Sequence, residues 1–398
     1  MKDEKKAPKL RFKGFTDDWE QCKLGDVYGH LYSGNTPSRK KSANFGGDTP
    51  WIRTADLNNG LIKSATEFLT YEGIKQLKIL PENTIVLAMY GGFNQIGRTG
   101  ILGFPATINQ ALVALTPHKN INQFFAQSYL NRHIIDWRRV AASSRKDPNI
   151  TKEDVEKSEF SFGSLEEQNR ISKLISRLDH TITLHEEKKR QLERLKSALL
   201  QKMFADKSGY PPVRFEGFSD KWEQVKYGEI FQRRSKMGVS TPTLPSVEYD
   251  DINPGMGTLN KEPKSKGISK RGIYFNPGDV LFGKLRPYLK NWLFACFEGV
   301  AVGDFWVLTS SKIDHGFTYS LIQTPGFQYI ANLSSGSKMP RSDWGLVSNA
   351  RTFIPINHLE QERISSVLFG LDHAITLYEH KLEILNKIKS FLLQNMFI

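Results

Sequence analysis

Glu167-Gln-Asn-Arg-Ile and Glu360-Gln-Glu-Arg-Ile open the two stretches of sequence that decide the fold. The first runs through Leu178-Asp-His-Thr-Ile-Thr-Leu to Leu199-Leu-Gln-Lys-Met-Phe. The second runs through Leu371-Asp-His-Ala-Ile-Thr-Leu to Leu392-Leu-Gln-Asn-Met-Phe, at a constant offset of 193 residues. Upstream, Arg11-Phe-Lys-Gly-Phe-Thr-Asp-Asp-Trp-Glu-Gln returns as Arg214-Phe-Glu-Gly-Phe-Ser-Asp-Lys-Trp-Glu-Gln, at an offset of 203. The chain is therefore built twice, with ten fewer residues between the markers in the second copy. Between the markers, over about 26–160 and 229–355, the copies share little. Alike ends and unlike middles describe a repeated frame that carries two different inserts.

The two repeated segments read as long helices. Ile171, Leu174, Leu178, Leu192, Leu195 and Leu199 fall at heptad a and d spacing, as do Ile364, Val367, Leu371, Ala374, Tyr378, Leu385, Ile388 and Leu392. The seam turns polar near its middle, at His185 and Lys188 in one copy and Lys381 in the other. A helix of about 36 residues is roughly 55 Å long. The second copy begins at Tyr210-Pro-Pro-Val, directly after the first helix stops. Its insert must start near the C-terminal end of the first helix and finish at the N-terminal end of the second. Antiparallel packing puts those points side by side, whereas parallel packing separates them by a helix length. Within the inserts, Thr84–Tyr90, 108–115, 279–283 and 300–308 read as strands and 122–139 as helix. The predicted class is α+β: two mixed α/β domains separated by two long antiparallel coiled-coil helices, with an internal pseudo-twofold repeat. The predicted boundaries are 1–164 and 208–358 for the domains, and 165–207 and 359–398 for the helices.

A chain of 398 residues has the length of two or three domains. Hydrophobic residues at 39% and charged residues at 24% suit a packed globular core. Lys and Arg outnumber Asp and Glu by 55 to 42, a net charge of +13, which favours a polyanionic partner and nucleic acid first. Cys22 and Cys296 form no CxxC pair, against a disulfide scaffold, a thiolate zinc site and an oxidising compartment. Met1-Lys-Asp-Glu-Lys-Lys leads into no apolar run. The most apolar window, Trp292–Leu308, contains Glu298 and Asp304 and reads as paired strands instead of a membrane span. The expectation is a cytoplasmic, basic protein with no membrane partner.

Signatures of catalysis are missing. No GxxxxGK[ST] loop, no GxGxxG after a strand and no HExxH occurs, and the nine histidines form no ligand triad. The cluster Gly91-Gly-Phe-Asn-Gln-Ile-Gly-Arg-Thr-Gly lacks the Lys-Ser/Thr pair of a phosphate loop and reads as a turn between strands. His180 and His373 occupy equivalent repeat positions and read as seam or interface residues, and no Asn/Asp-Pro-Pro-aromatic tetrapeptide of amino-methyltransferases is present. The expectation is a chain with no catalytic residues, no metal and no cofactor of its own.

Candidates for contact with bases and phosphates are easier to name. In the first insert they are Ser33, Asn35, Arg39, Lys40 and Lys41, then Asn94, Gln95 and Arg98 on the glycine-rich turn, then Arg145 and Lys146 on a serine-rich loop. In the second insert they are Arg233, Arg234 and Lys236, then Lys284, Arg286, Tyr288 and Lys290, then Lys338 and Arg341. Arg matches guanine O6/N7, Asn and Gln match adenine N6/N7, and Lys mainly meets phosphate. Tyr288 and Trp292 either stack on bases or fill core. Taken singly, each basic residue reads as readily as a solvated surface charge.

The duplicated Arg-Phe-x-Gly-Phe-x-Asp-x-Trp-Glu opening, the Glu-Gln-x-Arg-Ile helix start, the Leu-Asp-x-x-Ile-Thr-Leu seam and the Leu-Leu-Gln-x-Met-Phe ending together resemble the specificity subunit of type I restriction-modification systems. Gly283-Lys-Leu-Arg-Pro-Tyr-Leu also looks like a turn of that family's recognition domains. The resemblance spans the whole chain. It implies two target recognition domains that each read one half of a split double-stranded DNA sequence, with the helices as spacer. It implies a subunit without catalytic activity, joined by two modification (methyltransferase) subunits that carry S-adenosylmethionine. Restriction/translocase subunits complete an ATP- and Mg-dependent nuclease. It fixes no individual contact residue. An autonomous tandem DNA-binding regulator, a coiled-coil scaffold protein and a nuclease with an unrecognised site are the competing readings.

Overall fold

The computed structural model describes residues 7–142, 148–262, 269–333 and 339–398. The chain divides into two compact units, residues 1–183 with 383–398 and residues 184–382. The two long helices, Leu165–Lys202 and His358–Asn395, are 38 residues each. Each begins in one unit and ends in the other.

Every marker of the repeat has a physical task at the start of these helices. In the first unit, Glu167 is 1% exposed and accepts from Arg11 Nε (2.8 Å), Arg11 Nη2 (2.7 Å) and Trp19 Nε1 (2.9 Å). In the second, Glu360 is 1% exposed and accepts from Arg214 Nε (2.7 Å), Arg214 Nη2 (2.9 Å) and Trp222 Nε1 (3.3 Å). A buried carboxylate is tolerated only when paired and hydrogen-bonded in this way. Donating to Glu167 raises the Arg11 pKa above its ordinary value, and donating to Glu360 does the same for Arg214. The next residue, Gln168, accepts from Asn122 N at 2.9 Å, and Gln361 from Asp314 N at 2.8 Å. Asn122 and Asp314 are the N-caps of the helices Gln123–Arg132 and His315–Ile322. Two positions on, Arg170 lies 5.1 Å from the Phe15 ring and Arg363 lies 5.4 Å from the Phe218 ring. Gly14 and Gly217 turn the opening segment at φ +103° and +90°.

The Met-Phe ending of each helix is equally specific. Met396 and Phe397 are buried in the first unit's core, where Phe397 meets Trp19 and Phe125. Met203 and Phe204 are buried in the second unit's core, where Phe204 meets Trp222 and Phe317.

The helices pack antiparallel within each unit. In the second unit, Lys189 pairs with Glu379 at 2.6 Å and Lys196 pairs with Asp372, so seven residues forward on one helix match seven backward on the other. In the first unit, Ile171 and Ile175 share a core with Met396 and Phe397, and Asp179 pairs with Lys389 at 2.5 Å. The buried or half-buried line runs Gln168, Ile175, Ile182, Lys189, Lys196, Met203, and in the other copy Gln361, Leu368, Ile375, Leu382, Lys389, Met396. This corrects the predicted seam at three positions. Leu195, Val367 and Ile388 lie exposed on the outer face, each one residue before the true seam position. Lysines hold seam positions because an aspartate or glutamate on the facing helix meets each one; a search for apolar residues steps to the neighbour. Ile171 and Ile364 are buried, and Leu174, Leu178, Leu192, Leu199, Leu371, Leu385 and Leu392 are half-buried. Lys188 and Lys381 are exposed, and His185 faces Tyr378 with ring centroids 5.3 Å apart.

The inserts differ in sequence yet share a strand order. One sheet in the first unit runs Tyr32–Ser33, Leu112–Leu115, Ile85–Ala88, Thr99–Leu102, Leu61–Ile62. Its counterpart runs Gln232–Arg233, Phe305–Thr309, Val280–Gly283, Trp292–Phe294. A second sheet in each unit contains a parallel pair, Phe45–Ile52 with Thr107–Ile108 and Ser246–Val247 with Gly299–Ala301. The frame adds a two-stranded ladder to each, Glu20–Lys23 with Glu159–Phe162 and Glu223–Lys226 with Arg351–Ile354. No helix among the described residues is long and apolar enough to cross a membrane.

Glu360→Ala removes the one acceptor that Arg214 and Trp222 share, and the unpaired buried groups should cost about 3–5 kcal/mol. Denaturant unfolding should show that loss. Replacing the Lys196–Asp372 pair by Met and Leu together should be close to neutral, whereas Asp372→Ala alone should be strongly destabilising.

Candidate nucleic-acid interface

In the first unit the exposed Arg39 guanidinium sits 5.1 Å from the Phe45 ring and 5.6 Å from the Trp51 ring. It donates to Glu67 at 2.9 Å. Arg53, which the sequence reading missed, lies 3.2 Å from the same carboxylate and 5.9 Å from Trp51. Asp56 accepts from the Arg53 amide at 2.8 Å and from Thr66 at 2.6 Å, closing the corner. Two arginines are thus fanned over aromatic faces and held by carboxylates. The alternation of Arg53 with Trp51 was the signal available for it.

The other candidates in this unit are dispersed. Lys40 and Lys41 are exposed beside Arg39. Ser33 spends its hydroxyl on the Leu112 carbonyl at 3.1 Å, and Asn35 accepts from the Thr36 amide at 2.8 Å. The glycine-rich segment is a turn between the strands Ile85–Ala88 and Thr99–Leu102. Gly91 and Gly92 adopt φ +123° and +101°, and Phe93 is exposed at the tip. Asn94 is exposed and its carbonyl accepts from Arg138 at 3.1 Å, while Gln95 and Arg98 are half-buried. Arg145 and Lys146 lie outside the described residues, as does Lys338 in the second unit.

In the second unit one cluster gathers Lys284 and Arg341 on Asp304, at 3.5 and 3.0 Å. The Arg286 amide donates to Pro340 O at 2.8 Å, which ties the two segments together. Tyr249, another residue the sequence reading missed, donates to Asp304 O at 2.6 Å and accepts from the Leu285 amide at 3.1 Å. Burial pushes its phenol pKa up to about 12, so it stays a donor at neutral pH. Arg286, Tyr288 and Lys290 are exposed, whereas Trp292 is 3% exposed and fills core. Arg233 stacks 4.6 Å over Trp344, and Lys236 lies 5.5 Å from the Tyr274 ring. Arg234 instead pairs with Asp279, which is fully buried, so its role is structural.

The equivalent corners of the two units carry different ion pairs, Arg53 with Glu67 in one and Glu248 with Lys270 in the other. After the parallel strand, a short 3-10 turn spans Thr54–Asp56 in one and Tyr249–Asp251 in the other, each closed by an aspartate on the preceding amide. Arg53 precedes the first turn and Glu248 the second. One scaffold therefore presents two chemically different faces.

Two like-folded, differently lined domains are thus built on one repeated helical frame. Residues 16–194 match the type I restriction modification DNA specificity domain. Over 95% of its length the chain is 23% identical to the type I restriction enzyme MjaIX specificity subunit of Methanocaldococcus jannaschii, covering 92% of that protein. Over 43% of its length it is 28% identical to the type I restriction enzyme EcoR124I/EcoR124II specificity subunit of Escherichia coli, covering 43% of that protein. Among solved structures, the type I restriction-modification S subunit from M. genitalium aligns at a TM-score of 0.67 and 14% identity, over 98% of this chain and 99% of that one. A chain from a structural study of type I complex assembly and conformational transition aligns at 0.52 and 16% identity, over 98% and 99%. At these identities the likeness is one of fold.

Arg234→Ala should leave the buried Asp279 carboxylate with the Asn276 amide but no countercharge, and cost about 3 kcal/mol. Arg39→Ala, which breaks an exposed pair, should cost under about 1 kcal/mol. Thermal unfolding of the two variants separates the structural arginine from the available one.

Proposed function

We propose that this chain is the DNA sequence-recognition subunit of a type I restriction-modification complex, reading a bipartite, asymmetric target with its two insert domains. The observation that carries this reading is the shared scaffold with unlike linings, Arg53 and Glu248 at the same corner. Base edges are discriminated by donor and acceptor pattern, so unlike side chains at one corner, an Arg53–Glu67 pair against a Glu248–Lys270 pair, suit different bases. Residues 1–164 and 208–358 act as the readers, and 165–207 and 359–398 as spacer and docking helices. The chain itself is non-catalytic. Methyltransferase subunits hold S-adenosylmethionine and methylate adenine, and restriction subunits hold ATP and Mg in the cytoplasm. The net charge of +13 supports the DNA affinity, because each phosphate contact releases counterions.

Methylome sequencing of the host, with and without this chain, tests the reading: a split adenine-methylated motif should vanish with the chain. Replacing residues 20–150 with the matching segment of a relative should rewrite one half of the motif and leave the other half and the gap unchanged. A swap that rewrites both halves refutes separate readers. Binding by the purified chain should fall steeply between low and moderate salt, and salt-independent binding would point to a scaffold instead.

A further inference from the structure

Four non-glycine residues among those described adopt positive φ. Two are Asn59 and Asn83, a residue type that tolerates the left-handed region. The other two are Arg286 at φ +48° and Lys290 at φ +59°, and they bracket the 3-10 turn Pro287–Leu289. Strained backbone of this kind persists only where its surroundings over-determine it. Here Arg286 N donates to Pro340 O (2.8 Å), Gly255 N to Lys290 O (2.8 Å), and Gly283 N to Asn291 O (2.7 Å), while Pro287 is buried. The turn so held presents Tyr288 at 55% exposure and Leu289 at 43%. An aromatic and an aliphatic side chain are thus lifted clear of the core by a rigid mount.

The surroundings are basic. Lys284 and Arg341 share the single carboxylate of Asp304, and Arg286 and Lys290 are exposed with no carboxylate partner among the described residues. The equivalent hairpin of the other unit, between Ile85–Ala88 and Thr99–Leu102, also exposes an aromatic at its tip, Phe93. There glycines supply the positive φ. An exposed ring at the same hairpin of two inserts that share little sequence indicates a shared task.

We infer that Tyr288, backed by Leu289, is a wedge that enters the base stack of duplex DNA while Arg286 and Lys290 grip the flanking phosphates. The second domain then reads how readily a base step opens, as well as the hydrogen-bonding pattern of its neighbours. Apolar and aromatic wedges unstack a step and kink the duplex, and pyrimidine–purine steps yield most easily. The inference rests on the proposed DNA-reading role and adds to it a residue and a mode of readout.

The test uses the full chain assembled with its modification subunits, on the motif found by methylome sequencing. 2-Aminopurine placed at successive positions of the half-site read by the second domain should brighten at one step when wild-type complex binds. Tyr288→Phe should retain that signal. Tyr288→Ala should lose it, with an affinity loss of roughly 10- to 100-fold for the target, while the half-site read by the first domain is still selected. Lys290→Gly should raise the unfolding temperature by a few degrees, the signature of a strained mount. No brightening at any position, or Tyr288→Ala binding as tightly and selectively as wild type, overturns the wedge. If the host has no motif that depends on this chain, the DNA-reading role fails instead.

Discussion

Glu167 and Glu360 are the constraint on which the rest of the structure depends. Each is a carboxylate with almost no solvent, at the first turn of a long helix, satisfied by an arginine and a tryptophan from the segment that opens its own copy. Desolvating such a group without partners is prohibitive. The opening segment, the helix start and the insert's own capped helix must therefore be in place together. The adjacent glutamine holds that capped helix through its backbone amide. One dipeptide thus joins three parts of each unit, and two inserts of unlike sequence are held between like ends.

The seam answers a different demand. A fully apolar heptad line would pack equally well in several registers. Lys196 facing Asp372, and Lys389 facing Asp179, are the same pair repeated at the offset of 193 residues. In the second unit burial pushes the Asp372 carboxyl above its ordinary range, with Lys196 opposing that shift, and the lysine also donates to Gln323 at 2.7 Å. Ion pairs of this sort add little net stability and disfavour misaligned pairings.

The repeat, the long helices and their antiparallel sense were legible in the sequence because identity at fixed offsets and chain connectivity both constrain them. Leu195, Val367 and Ile388 look like seam residues because they are apolar, whereas the true line carries lysine at three of its twelve positions. The shared strand order of the inserts was hidden, since strands of two to five residues follow burial on both faces and not a readable period. Among candidate contacts, Arg234 could not be told from Arg233 in the sequence. Only the fold reveals that Asp279, 45 residues away, claims one and leaves the other over Trp344.

The exchange of helix ends between units bears on how the protein is made. The first unit's core includes Met396 and Phe397, supplied from sequence about 200 residues beyond Thr183. At ribosomal speeds of about 5–20 residues per second, the first unit, synthesised as far as Thr183, waits roughly 10–40 seconds for the side chains that cover Trp19 and Phe125. During that interval the nascent amino-terminal half displays an open apolar seat of the same design that the second unit fills with Met203 and Phe204. A polysome synthesising this chain therefore holds many half-finished molecules whose tails and seats are mutually compatible. Intermolecular swapping is the hazard such an exchange of helix ends brings to biogenesis.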